Sequence, residues 1–248
     1  MTMFDIQRSR QRPMPLRSSL SDDSLGLVPG AKPLRLTARR RSPPSSIRGW
    51  FASPKALGEA PFESLLERDA QAVISADPQV EAYAVQCHRL TYFVPTANGL
   101  EKRNYVPDLV LKMRDGRRII VEVKASALAE QPAWTKLEPH IRRAYEDDHD
   151  AQFRLITERH IRRQPQLSNA QVMLAHCGAP DPKAELAVLQ VLDAEHGLIS
   201  IRGLSEVMAQ LGLSYEQTFT TVMKCAFAGK VEVDTAEPYS PSSQVWAL

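Results

Sequence analysis

The stretch YVPDLVLKMRDGRRIIVEVKAS, residues 105–126, constrains the fold more than any other part of this chain. Two runs rich in aliphatic residues flank Asp115-Gly116, a dipeptide that marks a tight turn between antiparallel strands. The sequence sets Asp108 into the first run, and Glu122 and Lys124 into the second. The turn type decides whether these charges meet. A two-residue turn pairs Arg114 with Arg117 and sets Asp108 opposite Val123, on the wrong face. A three-residue turn, Arg114-Asp115-Gly116 with Gly116 left-handed, pairs Met113 with Arg117 and sets Asp108 opposite Glu122. Side chains alternate with period 2, so Lys124 then shares their face. Glycine stands where the second turn needs it.

Two carboxylates that meet across a strand pair repel one another unless a cation lies between them. A solvated hairpin face with Glu122 and Lys124 as a chance exposed pair would carry the same residues. The apolar neighbours and the Pro-Asp on the preceding strand favour a site instead. Hard oxygen ligands (Asp108, Glu122 and the carbonyl of Val123) suit Mg²⁺ or Mn²⁺, which keep several waters and take further ligands from phosphate. A metal there polarises a phosphodiester and lowers the pKa of a bound water. Lys124 is placed to orient that water and to balance charge that builds up on the phosphate.

Charge is distributed unevenly. Residues 1–50 hold ten Lys/Arg and three acids, against 21 and 26 in the remainder, although the net charge is only +2. A positive arm on a slightly acidic body is expected to meet phosphate or an acidic partner. Arg39, Arg40 and Arg41 are its densest cluster and candidate nucleic-acid contacts. The arm is Arg/Ser-rich like an organellar transit peptide, but its six prolines spoil an amphipathic helix. Cys87, Cys177 and Cys225 are odd in number and lack CxxC spacing, which fits a reducing cytosol better than a disulfide framework or zinc ribbon. The run lengths give no membrane span. No GxxxxGK[ST] or GxGxxG supports nucleotide binding.

Along the chain, residues 1–50 read as an extended basic arm. Residues 61–76 read as a helix with Pro61 at an early position and an apolar stripe at Leu65, Leu66, Ala70, Val73 and Ile74. Strands are expected at 80–86 and 89–94, then the hairpin, with Asn98-Gly99 as a further turn signal. A helix interrupted at Pro139 follows over 130–149, then a strand at 153–157 and a helix at 169–177. This order predicts an α/β core. After GAPDP at 178–182, three helices and a two-stranded wing give a winged-helix layout. The expected domains are therefore the arm at 1–50, a catalytic domain at 51–180 and a winged-helix-like domain at 181–248.

Pro107-Asp108 followed by Glu122-Val123-Lys124 resembles the PD-(D/E)xK nuclease superfamily, whose core is restriction-endonuclease-like. FESLLERD at 62–69, upstream of YVPDLVL and IIVEVK, is more narrowly similar to TnsA, the endonuclease subunit of heteromeric transposases. The resemblance covers about residues 60–248. It implies Glu63 as a further catalytic or metal-proximal carboxylate, Asp108 and Glu122 as metal ligands, and Lys124 as catalytic lysine. It also implies a bacterial, cytoplasmic enzyme that cuts one strand of double-stranded DNA at transposon ends, with a DDE-type transposase and an AAA+ ATPase regulator as partners. From the residues alone, Glu63 reads equally as a surface acid near a helix N-terminus.

Arg142 with Arg143, and Arg162 with Arg163, are paired arginines suited to DNA phosphates or to a solvated face. His88 and Gln86 precede the second strand, and sequence does not place them. The third helix of the C-terminal region has a single basic residue, Lys224, which argues for protein contact or weak DNA contact there. Two rivals remain: a stand-alone repair or restriction-type nuclease of the same superfamily, and a DNA-binding assembly subunit whose site is unused.

Overall fold

Continuously apolar strands flanked by Gly and Pro turns build a buried sheet, and here they do so in the first of two units. The computed structural model describes residues 22–35, 47–195 and 197–248. The first unit holds the described residues up to Gln71 together with Gln79–Ile161; the second holds Ala72–Pro78 and Arg162–Leu248. Arg39, Arg40 and Arg41 lie outside the described residues. The expected division at residue 180 thus differs from the observed one, since residues 162–180 group with the C-terminal unit.

The first unit runs from a 3-10 helix (Asp22–Leu25) through β1 (Gly49–Trp50), β2 (Pro61–Phe62), α1 (Leu65–Ala76), β3 (Val80–Val85), β4 (Leu90–Thr96), β5 (Gly99–Tyr105), β6 (Leu109–Met113) and β7 (Arg118–Val123). It continues with α2 (Ser126–Ala129), α3 (Pro132–His149), β8 (Gln152–Ile156) and α4 (Glu158–Ile161). The last residues of α1 group with the second unit. The main sheet has the order β3-β6-β7-β8. Its first two pairings are antiparallel, and β7–β8 is parallel, joined by α3 as the crossover that parallel strands require. Leu109, Val110, Leu111, Ile119, Ile120 and Val121 are all at most 1% exposed, so β6 and β7 are buried on both faces.

Three details depart from the sequence reading. Pro61 lies in β2, paired with Trp50, and not in a helix. Helix α3 runs through Pro139 without a break. Residues 22–35, expected to be part of the arm, are built into the first unit: Leu25, Leu27 and Ala31 join its core. Burying the two leucines is worth about 1.5–3 kcal/mol each. Ala31 forms a bridge to Gly58, where an added Cβ would stand 2.0 Å from the Ala31 carbonyl oxygen, so that only glycine admits the contact.

The second unit comprises α5 (Gln166–Ala175), α6 (Pro182–Glu195), β9 (Ile199–Ser200), α7 (Ile201–Ala209), α8 (Tyr215–Phe227), β10 (Val231–Val233) and β11 (Gln244–Ala247). The strands form an antiparallel sheet of order β10-β11-β9. Val188, Leu192, Ile201, Leu204, Met208, Val222, Met223, Val231 and Val245 share one core, drawn from α6, α7, α8 and the sheet. Ser200 caps α7, and Ser214 with Gln217 forms a capping box on α8, each cap worth about 1 kcal/mol. Among the described residues no helix is long and apolar enough to cross a membrane.

Candidate active site

The β6–β7 turn fixes the geometry. Gly116 has φ +85°, its N–H donates to the Met113 carbonyl at 3.0 Å, and the Met113 N–H donates to the Arg117 carbonyl at 2.9 Å. This is the three-residue turn. The ladder pairs Leu109 with Val121 and Lys112 with Arg118, and one further step brings Asp108 opposite Glu122. The Met113 N–H bonds the Arg117 carbonyl, which fixes this as the hydrogen-bonded position; alternation then makes Leu109–Val121 a hydrogen-bonded pair and Asp108–Glu122 a closely spaced, non-hydrogen-bonded one. At the next pair Pro107 faces Val123 but has no N–H to donate. The Val123 N–H is taken by Asp108 Oδ2 at 2.8 Å. The Val123 carbonyl therefore takes no ladder hydrogen bond from Pro107, on the edge of β7 that faces the strand carrying Asp108.

Asp108 and Glu122 are 8% and 6% exposed, so both carboxylates are out of bulk water. Burial, and then the charge of Glu122, hold the Asp108 carboxyl well above the ordinary Asp range; Glu67 pushes the same way, while the Val123 N–H and Arg35 oppose. Lys124 Nζ is 2.9 Å from Glu122 Oε1 and stands 4.4 Å from the centre of the Trp134 ring on α3. The Tyr105 hydroxyl donates to the other carboxylate oxygen, Glu122 Oε2. Arg35 Nη1 lies 3.7 Å from Asp108 Oδ1, and its Nη2 donates to the Val106 carbonyl at 2.6 Å.

Glu63 does not lie on α1 as expected; it precedes it. Ser64 Oγ accepts the Glu67 N–H at 3.1 Å and donates to Glu67 Oε1 at 2.9 Å, while Glu67 Oε2 accepts the Glu63 N–H at 2.8 Å. Glu67 is the carboxylate from this segment that acts on Asp108, and Glu63 acts on Glu67. Burial raises the Glu67 pKa first, with Glu63 adding to it. Sequence reasoning missed Glu67, although Ser64-x-x-Glu67 is a capping-box signature that fixes the helix start. It also missed Tyr105 and Arg35, which are not local in sequence to the groups they meet.

The remaining candidates are dispersed. Arg142 pairs with Glu138, donates to the Phe153 carbonyl at 2.8 Å and lies over the Phe153 ring, so it ties α3 to β8. Arg143 is exposed beside Asp147 at 3.1 Å. Arg162 and Arg163 are exposed and belong to the second unit. His88 bonds the Tyr145 hydroxyl at 2.7 Å and packs near His149. Gln86 donates its N–H to the Asp108 carbonyl at 2.9 Å from a left-handed backbone, φ +47°, unusual for a residue other than glycine.

Residues 77–158 match the family model of the TnsA-like endonuclease N-terminal domain. This segment is a TnsA-like endonuclease domain. The match runs from the end of α1 through β8, and so contains Asp108, Glu122, Val123 and Lys124 but neither Glu63 nor Glu67. A search of curated proteins returns no match.

The TnsA-like domain supplies few protein ligands. Among the described residues no group of three or more His, Cys, Asp or Glu is arranged to hold a metal. Two carboxylates and one carbonyl are a poor set for Zn²⁺, which takes N and S ligands, or for a full Ca²⁺ cage. They fit Mg²⁺ or Mn²⁺, which bind through one or two carboxylates and complete the shell with water and phosphate. The raised Asp108 pKa agrees, because it reflects burial first and then the repulsion of Glu122, and a cation would offset both.

Proposed function

We propose that this chain is the Mg²⁺- or Mn²⁺-dependent endonuclease subunit of a heteromeric transposase, with a PD-(D/E)xK core, cutting one strand of duplex DNA at transposon ends. The observation that carries the reading is Asp108 facing Glu122 across a closely spaced pair of a hairpin buried on both faces. Asp108, Glu122 and the Val123 carbonyl would hold the metal. When bound, it supplies Lewis-acid polarisation of the phosphodiester and a more acidic water. Lys124, held between Glu122 and Trp134, orients the attacking water and offsets charge on the phosphate. Tyr105 holds Glu122 in one rotamer. Glu67 rather than Glu63 is the third carboxylate near the reacting phosphate.

Helices α6, α7 and α8 and the sheet of the second unit are read as a winged-helix domain for assembly. A DDE-type transposase performs strand transfer, an AAA+ ATPase selects the target, and the assembly works in the bacterial cytoplasm. The test is cleavage of an end-labelled transposon-end duplex, with and without the transposase subunit of the same system. Nicking that chelation stops and that Lys124→Met greatly slows supports the reading. Nicking that persists in Asp108→Ala contradicts it.

A further inference from the structure

The β4–β5 ribbon has a use that the hairpin site does not explain. Its register pairs Leu90 with Tyr105, Tyr92 with Arg103 and Val94 with Glu101 on one face, and Thr91 with Asn104, Phe93 with Lys102 and Pro95 with Leu100 on the other. The first face is the inner one: Leu90 and Tyr92 are 2% and 5% exposed. The second face is bare. Phe93 is 55% and Leu100 72% exposed, and Pro95 and Lys102 are exposed beside them. An isolated ribbon gains nothing from presenting Phe, Pro and Leu together to water.

We infer that the outer face of this ribbon is a DNA-docking surface, with Phe93, Pro95 and Leu100 forming a wedge against base steps in the minor groove and Lys102 on the flanking backbone. The inference deepens the nuclease reading and rests on it. Two observations choose duplex DNA over a protein partner. The first is continuity with the site: Tyr105, the last residue of the ribbon, bonds Glu122, and Asp108 follows three residues later. A duplex with its phosphate at Asp108 and Glu122 therefore passes beside the ribbon. Phe93 lies three residues and Pro95 five residues from the root pair Leu90–Tyr105, so the wedge stands roughly 10–17 Å, or about three to five base pairs, from the ribbon's root.

The second observation is charge. The outer face carries Lys102 with Arg89 exposed at its root, and no carboxylate; the one acid of the ribbon, Glu101, is on the other face and is bound by Arg103 at 2.9 Å. Thr91 and Asn104 are bonded to each other at 3.0 Å and add neutral polar groups between the wedge and the root. Apolar wedges accompanied by basic and amide side chains are the usual equipment of minor-groove binders.

The experiment is binding of a labelled transposon-end duplex to the full chain across a salt series, with Ca²⁺ in place of Mg²⁺, and Mn²⁺ calorimetry on the same preparations. Phe93→Ala with Leu100→Ala should weaken duplex binding by about 10–100-fold and leave the salt slope unchanged, since stacking is lost but no phosphate contact. Lys102→Ala should lower the salt slope by about one. Both sets are surface changes, so unchanged melting and Mn²⁺ binding are expected. Duplex affinity equal to wild type in the Phe93/Leu100 variant overturns the inference and assigns the face to a protein partner, whereas loss of Mn²⁺ binding in wild type would sink the nuclease reading separately. A wild-type chain that binds no duplex at all overturns both.

Discussion

Two hairpins of the first unit follow the same alternation and break the inside–outside rule in opposite directions. The β6–β7 hairpin is covered on both faces, yet keeps Asp108 and Glu122 within it. The β4–β5 ribbon has a bare face, yet sets Phe93, Pro95 and Leu100 on it. Burying ionised carboxylates costs several kcal/mol unless they are paired, and exposing apolar side chains forfeits about 25 cal/mol per Å². Neither arrangement serves the stability of the fold. Departures from local rules of this kind collect where a chain meets a ligand, and here they lie at the two ends of one continuous segment.

The largest effect that separates the hairpins is on cleavage. Lys124→Met should slow DNA cleavage by about 10²–10³-fold, whereas Lys112→Met, on the same hairpin but paired with Glu81 at 2.9 Å, should leave the rate unchanged. Equal effects would mean that any lysine of the hairpin serves, and the site would lose its definition. In the same assay Glu67→Gln should cost far more than Glu63→Gln. The reverse ranking would restore the assignment that the FESLLERD motif implied.

Next in size is the coupling of the ribbon to the site. Tyr105→Phe removes one donor to Glu122 and should weaken Mn²⁺ binding by about 10-fold, with melting little changed. Unchanged affinity would show that the ribbon's root is only packing. A smaller effect, of opposite sign, tests the cost of the buried acids. Asp108→Asn should raise the melting temperature of the metal-free protein near neutral pH, by about 2–4 °C for each 1 kcal/mol of relieved repulsion, while abolishing metal binding. A fall in metal-free melting temperature would mark Asp108 as a structural residue.

The smallest effect concerns acid stability. Burial, then the charge of His149, pushes His88 down to about 4. Its unfolded value is near 6.5, so between these values the unfolded chain binds more protons than the native one and stability falls as pH drops through that window. His88→Gln, which keeps a polar group near the Tyr145 hydroxyl, should flatten the melting temperature between pH 6.5 and about 4. A slope as steep as in wild type would assign the acid sensitivity elsewhere.

What could be read from sequence follows how local the cause is. The β6–β7 register depends on three turn residues and period-2 alternation, so the shared face of Asp108, Glu122 and Lys124 is legible in the sequence. The three helices of the C-terminal region were legible for the same reason, through periodicity and the Ser214 cap. The short strand β9 was not, since two residues carry no period. Residues 22–35 lack any pattern; their order comes from Leu25, Leu27 and Ala31 meeting a core formed by strands far along the chain. Arg35 and Tyr105 were invisible because each meets its carboxylate through tertiary packing. Glu67 is obscured by a weak cue: Pro61 mimics a helix start, whereas the stronger signal, Ser64 with Glu67, marks where α1 begins.

The central claim is that the acids of the β6–β7 hairpin are a metal site. The most direct test is Mn²⁺ binding by calorimetry to wild type and to Asp108→Ala, with and without a short duplex. The account predicts binding to wild type, strengthened by DNA, and a loss of more than about 100-fold in the variant, since a ligand should cost more than its supporting neighbours. Equal binding, or none in either protein with DNA present, would contradict it.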